Sequence, residues 1–176
     1  MTFFLPKLRE YSLDTSNPEN NHMLGVAVVA AESGLAVSIH RSAPLEDDVL
    51  PDNAPARAKF IHPAVVKRLG ELRDEGKVKL SISQLTQEQM KRLLANQFSQ
   101  GRYGLIILNW DKWNSDAQKK YGNPRHIVAC YGLSDNKINI IDPSLPEGDN
   151  PVITTSEHLF YSLNEKQQMI FIGNGN

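Results

Sequence analysis

Residues 125–142, RHIVACYGLSDNKINIID, constrain the fold of this chain more than any other stretch. Two runs rich in Val, Ile and Tyr flank Ser134-Asp135-Asn136, a set of turn-forming residues, so the segment predicts an antiparallel β-hairpin. Counted outward from that turn, His126 at the start of the first strand and Asp142 at the end of the second approach the same end of the hairpin, to within one bulge or register slip. A carboxylate beside an imidazole fixes the tautomer of the ring and stabilises its charged form. A plainer reading stands next to this one. Asp142-Pro143 is an ordinary way to end a strand, since Pro143 has no N–H to continue a ladder, and His126 is one of five histidines.

Upstream, HMLGVAVVAAESG predicts a buried helix, apolar on nearly every side and stopped at Gly34. LAVSIH (35–40) alternates as a strand does. APLEDDVLPDNAP (43–55) predicts an exposed loop, and Glu46-Asp47-Asp48 within it a solvated patch. Pro63 sits at the first position of a helix running to about Glu75, with Gly76 at its stop. VKLSIS (78–83) predicts a strand, and Thr86-x-x-Gln89 a capping box opening a helix that Gly101 ends. YGLIILN (103–109) is a continuous apolar run of the kind a central strand shows. WDKWNSDAQKKYGNP (110–124) predicts a polar loop, residues 155–163 a short helix capped by Ser156, and QQMIFIGN a last strand. Helices and crossovers come first and strands follow, which is an α+β pattern with helices packed on an antiparallel sheet.

At 176 residues the expected organisation is an N-terminal arm, residues 1–21, and one α+β domain over 22–176. Hydrophobic residues are 40% and charged residues 22%, which excludes wholesale disorder. The net charge of −1 and the lack of a Lys/Arg stripe argue against a nucleic-acid partner. No apolar run reaches the ~18 residues of a membrane span, and MTFFLPKLRE is broken by Pro6 and charge, unlike a signal peptide. Cys130 is the only cysteine, so no intramolecular disulfide forms, which fits a reducing compartment. A cytoplasmic protein is therefore expected, although a specialised secretion route leaves no trace in sequence. His126 and Asp142 with His22 or His158 lack the tight spacing of a zinc site, so neither metal nor cofactor is expected. His22, His40, His62 and His158 read as surface or capping residues.

The pattern His126-Ile127-Val128-Ala129-Cys130-Tyr131-Gly132, a short polar turn, then Ile138-Asn139-Ile140-Ile141-Asp142-Pro143 resembles the C39 cysteine peptidases and their C39-like relatives. Residues 22–145 follow that family's order of helix, strand, helix and strand. The resemblance implies a papain-like fold, His126 as general base, Asp142 as the residue that orients it, and hydrolysis of a peptide or amide bond through a covalent acyl-enzyme. The family carries a Gln and then a Cys-Gly at the head of a buried helix. This chain has no Cys before Cys130. If 22–34 matches the family's second helix, the nucleophile helix is absent. If it matches the first, Leu24-Gly25 takes the Cys-Gly position.

Cys130 lies four residues along the strand from His126, about 13 Å away at ~3.3 Å per residue, too far for proton transfer. Ser16, Thr15 and Thr2 are weaker nucleophiles in a polar arm. Asn109, at the end of the buried strand, and Trp110 and Trp113, in the loop before His126, are candidate ligand-binding residues; the tryptophans equally suit a cover over the sheet end. Three functions remain open. One is a degenerate C39-like protein that binds a peptide or protein ligand beside His126 and Asp142. Another is an active hydrolase or acyltransferase whose nucleophile comes from a partner chain, a substrate or an unrecognised residue. The third is a purely structural or interaction protein. A homo-oligomer is compatible with each.

Overall fold

The structure, a computed structural model, describes residues 23–48, 63–114 and 125–174. The arm expected over 1–21, His22, His62, much of the 43–55 loop and most of the 110–124 loop lie outside the described residues. The elements run α1 (Met23–Glu32), β1 (Leu35–Arg41), α2 (Pro63–Asp74), β2 (Val78–Ile82), α3 (Gln87–Ser99), β3 (Tyr103–Asn109), α4 (Trp110–Trp113), β4 (Arg125–Ser134), β5 (Lys137–Ile141), β6 (Val152–Thr155), α5 (Ser156–Ser162) and β7 (Met169–Asn174). The architecture is α+β. No helix among the described residues is long and apolar enough to cross a membrane.

The strands form one seven-stranded sheet in the order β2-β1-β7-β3-β4-β5-β6. It is mixed, which corrects the expected antiparallel sheet: β1 and β2 run parallel, with Val37 beside Val78 and Ile39 beside Leu80. The physical reason is the connection. A parallel pair needs a crossover, and the segment carrying α2 supplies it. All other pairings are antiparallel.

Paired residues share a face of the sheet and alternate along each strand, so two cores form. On the first face α1 and α2 pack over Val37, Ile39, Ile107 and Ile170. In α2 the buried residues Val65, Leu69 and Leu72 recur at helical spacing, and α1 is buried along nearly its whole length. On the second face Met90 and Leu94 of α3 and Leu159 of α5 cover Ile106, Leu108, Val128, Cys130, Ile140, Met169 and Phe171. The Thr86 capping box is present: Thr86 Oγ1 accepts from the Gln89 N–H at 3.3 Å, and Gln89 Oε1 accepts from the Thr86 N–H at 2.8 Å.

Three local expectations change. Val152–Thr155 is an edge strand that was not anticipated; four residues are too few to show a period. The cap of α5 is Thr155, whose Oγ1 accepts from the His158 N–H at 3.1 Å, while Ser156 is turned inward and bonds to Asn136. His40 is not a surface residue. It is 4% exposed and lies 3.0 Å from the Ser83 carbonyl, because β1 is an interior strand between β2 and β7.

Candidate functional site

The hairpin of β4 and β5 turns through Asp135 and Asn136, both left-handed, with φ of 48° and 67°. A two-residue turn of this kind matches the twist of the flanking strands. Leu133 pairs with Ile138, but Tyr131 pairs with Asn139, so Gly132 is an extra residue in β4. Gly132 has φ of 67°, a value glycine adopts without a side-chain clash. This bulge decides the site. Without it, Asp142 would fall opposite Ala129 and emerge on the face away from His126. With it, Ala129 faces Ile141, and Asp142 joins Val128 and His126 on the second face.

There His126 Nε2 and Asp142 Oδ1 are 2.7 Å apart. They are diagonal neighbours on adjacent strands rather than directly opposed. Asp142 is held from several sides. Its Oδ1 also accepts from the Ser144 N–H at 2.9 Å and the Ser144 hydroxyl at 2.6 Å. Its Oδ2 accepts from Trp113 Nε1 at 3.2 Å. Its backbone N–H donates to Asn150 Oδ1 at 2.9 Å, and its carbonyl accepts from Asn150 Nδ2 at 3.2 Å. The carboxylate's position is therefore fixed independently of the histidine.

The Trp110 ring stands edge-on to the imidazole, 3.6 Å between centroids at 65°. The His126 side chain is 12% exposed and that of Asp142 3%. Burial pulls the imidazole below its ordinary pKa, against the opposing charge and hydrogen bond of Asp142. Burial works the other way on Asp142, yet its carboxyl lies below the ordinary range, because the two Ser144 bonds, the attraction of His126 and the Trp113 bond outweigh it. Near neutral pH the couple is a neutral ring against a carboxylate. The ring then donates through Nε2, which leaves Nδ1 as its basic atom. Among the described residues the hydrogen bond of His126 goes to Asp142 alone.

Of the residues singled out from sequence, His126, Asp142, Trp110 and Trp113 are brought together. Asn109 is not: it pairs with Arg125, on the opposite face from His126, and donates to the Leu163 carbonyl at 3.4 Å. Of the two places open to Trp110, an exposed loop or a cover over the sheet end, it takes the second: it is 4% exposed, because the chain after β3 turns at once into α4 and presses it onto the sheet end. Trp113 is half-buried and stacks on His158, with centroids 5.1 Å apart. Leu24 is fully buried in the first-face cluster, across the sheet from His126. Cys130 is also fully buried, and burial pushes its thiol up to about 12.

Ser144 and Asn150 were missed. Ser144 was legible, since a serine two residues after an aspartate commonly bonds back to it. Asn150 left no signal; only the folded loop returns it to Asp142. No group of three or more His, Cys, Asp or Glu able to hold a metal ion occurs among the described residues. No protein-family model, curated protein or solved structure matches the chain.

Proposed function

We propose that this chain is a degenerate C39-peptidase-like protein of papain-like fold, and that it binds an extended peptide segment beside His126 and Asp142. The observation that carries this reading is the buried imidazole–carboxylate couple next to an incomplete part of the sheet. β5 pairs with β4 only from Ala129 inward, so Ile127 has a ladder partner on the β3 side alone among the described residues, while Val128 beside it is fully buried. An extended peptide can add its backbone to such an edge, with side-chain pockets giving selectivity. Ile127, 37% exposed, lies beside it.

The binding role is preferred to catalysis because no described hydroxyl or thiol bonds to His126, and the Trp110 ring already packs against the imidazole. One observation favours the alternative, an active hydrolase or acyltransferase with its nucleophile supplied from elsewhere: the couple leaves Nδ1 as a basic atom held in place by an anchored carboxylate.

A mixed peptide library titrated into the isotope-labelled chain tests both. Binding is expected to shift the amide signals of Ile127 and Val128 and the ring signals of His126, with no cleavage above the level of His126→Ala. Turnover lost in His126→Ala would replace the binding reading by the catalytic one. Saturation without any change at these three residues would remove both.

A further inference from the structure

Basic residues gather at the opposite end of β3, where Tyr103 begins the strand. A cleft of about 240 Å³ opens there, with Gly34, Ala36 and Gly76 on its walls and Lys77, Lys79 and Arg102 around it. Arg102 is built into place. Its Nη1 donates to Ser38 Oγ at 2.7 Å and to Gln97 Oε1 at 2.9 Å, and Gln97 is itself buried. Its stem crosses β7 at Gly173, where a Cβ would come within 2.6 Å of Arg102 Cγ, so the missing side chain at that position is what admits the arginine.

Lys79 is the cross-strand partner of Ser38, so both point to one face and the ammonium stem rises beside the hydroxyl that holds the guanidinium. Like charges gathered around one cleft repel, and an anion between them would offset that repulsion. Of the three basic residues around the cleft, only Lys77 has a described carboxylate partner. Glu32, Glu71 and Glu75 bond to Arg68, Glu75 also pairs with Lys77 at 2.7 Å, and Asp74 pairs with Arg73. Among the described residues the hydrogen bonds of Arg102 go to neutral groups and leave from one nitrogen, and Lys79 has no ion pair.

We propose that this cleft binds the phosphate group of a small ligand, with Arg102 as the fixed fork and Lys79 as the point charge. With both Nη1 hydrogens used, the Nε and Nη2 donors of Arg102 form one fork that suits two oxygens of a tetrahedral oxyanion, and a flexible lysine completes its charge. The volume is below the ~300 Å³ of an ordinary small-molecule pocket, which favours a phosphate with a short organic remainder over a dinucleotide cofactor. The site is independent of the reading given to His126.

Calorimetric titration of the full chain with inorganic phosphate, at constant ionic strength in chloride, tests it, with acetate as the comparison anion. Saturable phosphate binding is expected, weakened about tenfold in Lys79→Gln and in Arg102→Gln, the size of one charge-assisted contact. Arg102→Gln disturbs Ser38 and Gln97; Lys79 is on an exposed edge, so Lys79→Gln keeps the test sound if the arginine variant fails to fold. Amide shifts at Gly34 and Gly76 on adding phosphate place the binding in the cleft. No saturable binding, binding unchanged in Lys79→Gln, or acetate binding as tightly as phosphate would overturn the proposal.

Discussion

Gly132 determines the face of the sheet on which Asp142 emerges. The glycine occupies a left-handed position that adds one residue to β4, and the carboxylate at the end of β5 thereby comes to the side of His126. The couple depends on a backbone feature remote from both of its side chains.

Substituting that glycine tests the relationship. A Cβ at Gly132 meets only Asn139 Nδ2, at 3.5 Å, so space is available and the strain is conformational. Gly132→Ala is expected to cost about 1–2 kcal/mol in urea denaturation, the left-handed penalty of a residue with a Cβ. Deleting Gly132 restores the regular ladder, and is expected to abolish the contact between His126 and Asp142, seen as loss of their coupled titration by NMR.

Asp142 opposes the effect of burial on His126. Asp142→Asn removes the charge while keeping the shape. The His126 midpoint, already below its ordinary value, is expected to fall further, as followed by the imidazole proton shifts. A rise instead would mean that the carboxylate is not the charged partner of the ring.

Acid is expected to destabilise the fold in two stages. His40 and His126 both have folded pKa values lowered by burial from the ordinary 6.5. The unfolded chain then binds protons first, so their contribution is complete above the unfolded value and is lost as pH falls through about 6.5 toward the folded pKa values. Asp142, also lowered, contributes above its ordinary 3.8, and that share is lost as pH falls through its folded value. Urea midpoints measured across this range should fall with pH, and His40→Gln with His126→Gln should flatten the upper stage.

Trp113→Phe removes one donor from Asp142 and leaves Trp110 as the sole tryptophan. A loss of roughly 1.5–3 kcal/mol is expected, as for a hydrogen bond to a charged group. Fluorescence of this variant then reports Trp110 alone. Its emission should drop as His126 takes a proton, because an imidazolium 3.6 Å from the indole accepts its excited electron.

Cys130 should resist alkylation in the folded protein. Its thiol is sealed beneath Gly104 and pushed up to about 12 by burial, and the thiolate is the reactive form. Labelling is expected only at the rate of unfolding, and to rise with urea in step with the loss of structure. Rapid native labelling would make the thiol accessible and reopen its role.

Local chemistry is what the sequence determined by itself. The capping box at Thr86 and Gln89, the stops at Gly34, Gly76 and Gly101, the apolar run of β3 and the hairpin of β4 and β5 each follow from interactions a few residues apart. Even the meeting of His126 and Asp142 at one end of the hairpin is local once the turn is known. Tertiary structure decided the rest. The parallel pairing of β1 with β2, the burial of Trp110 against the imidazole and the return of Asn150 to Asp142 depend on which segments meet across the sheet, and no short window of sequence encodes that. The bulge stands between the two. A single glycine permits the left-handed turn, but only the strand pairings on both sides of it make that turn the one that places the carboxylate.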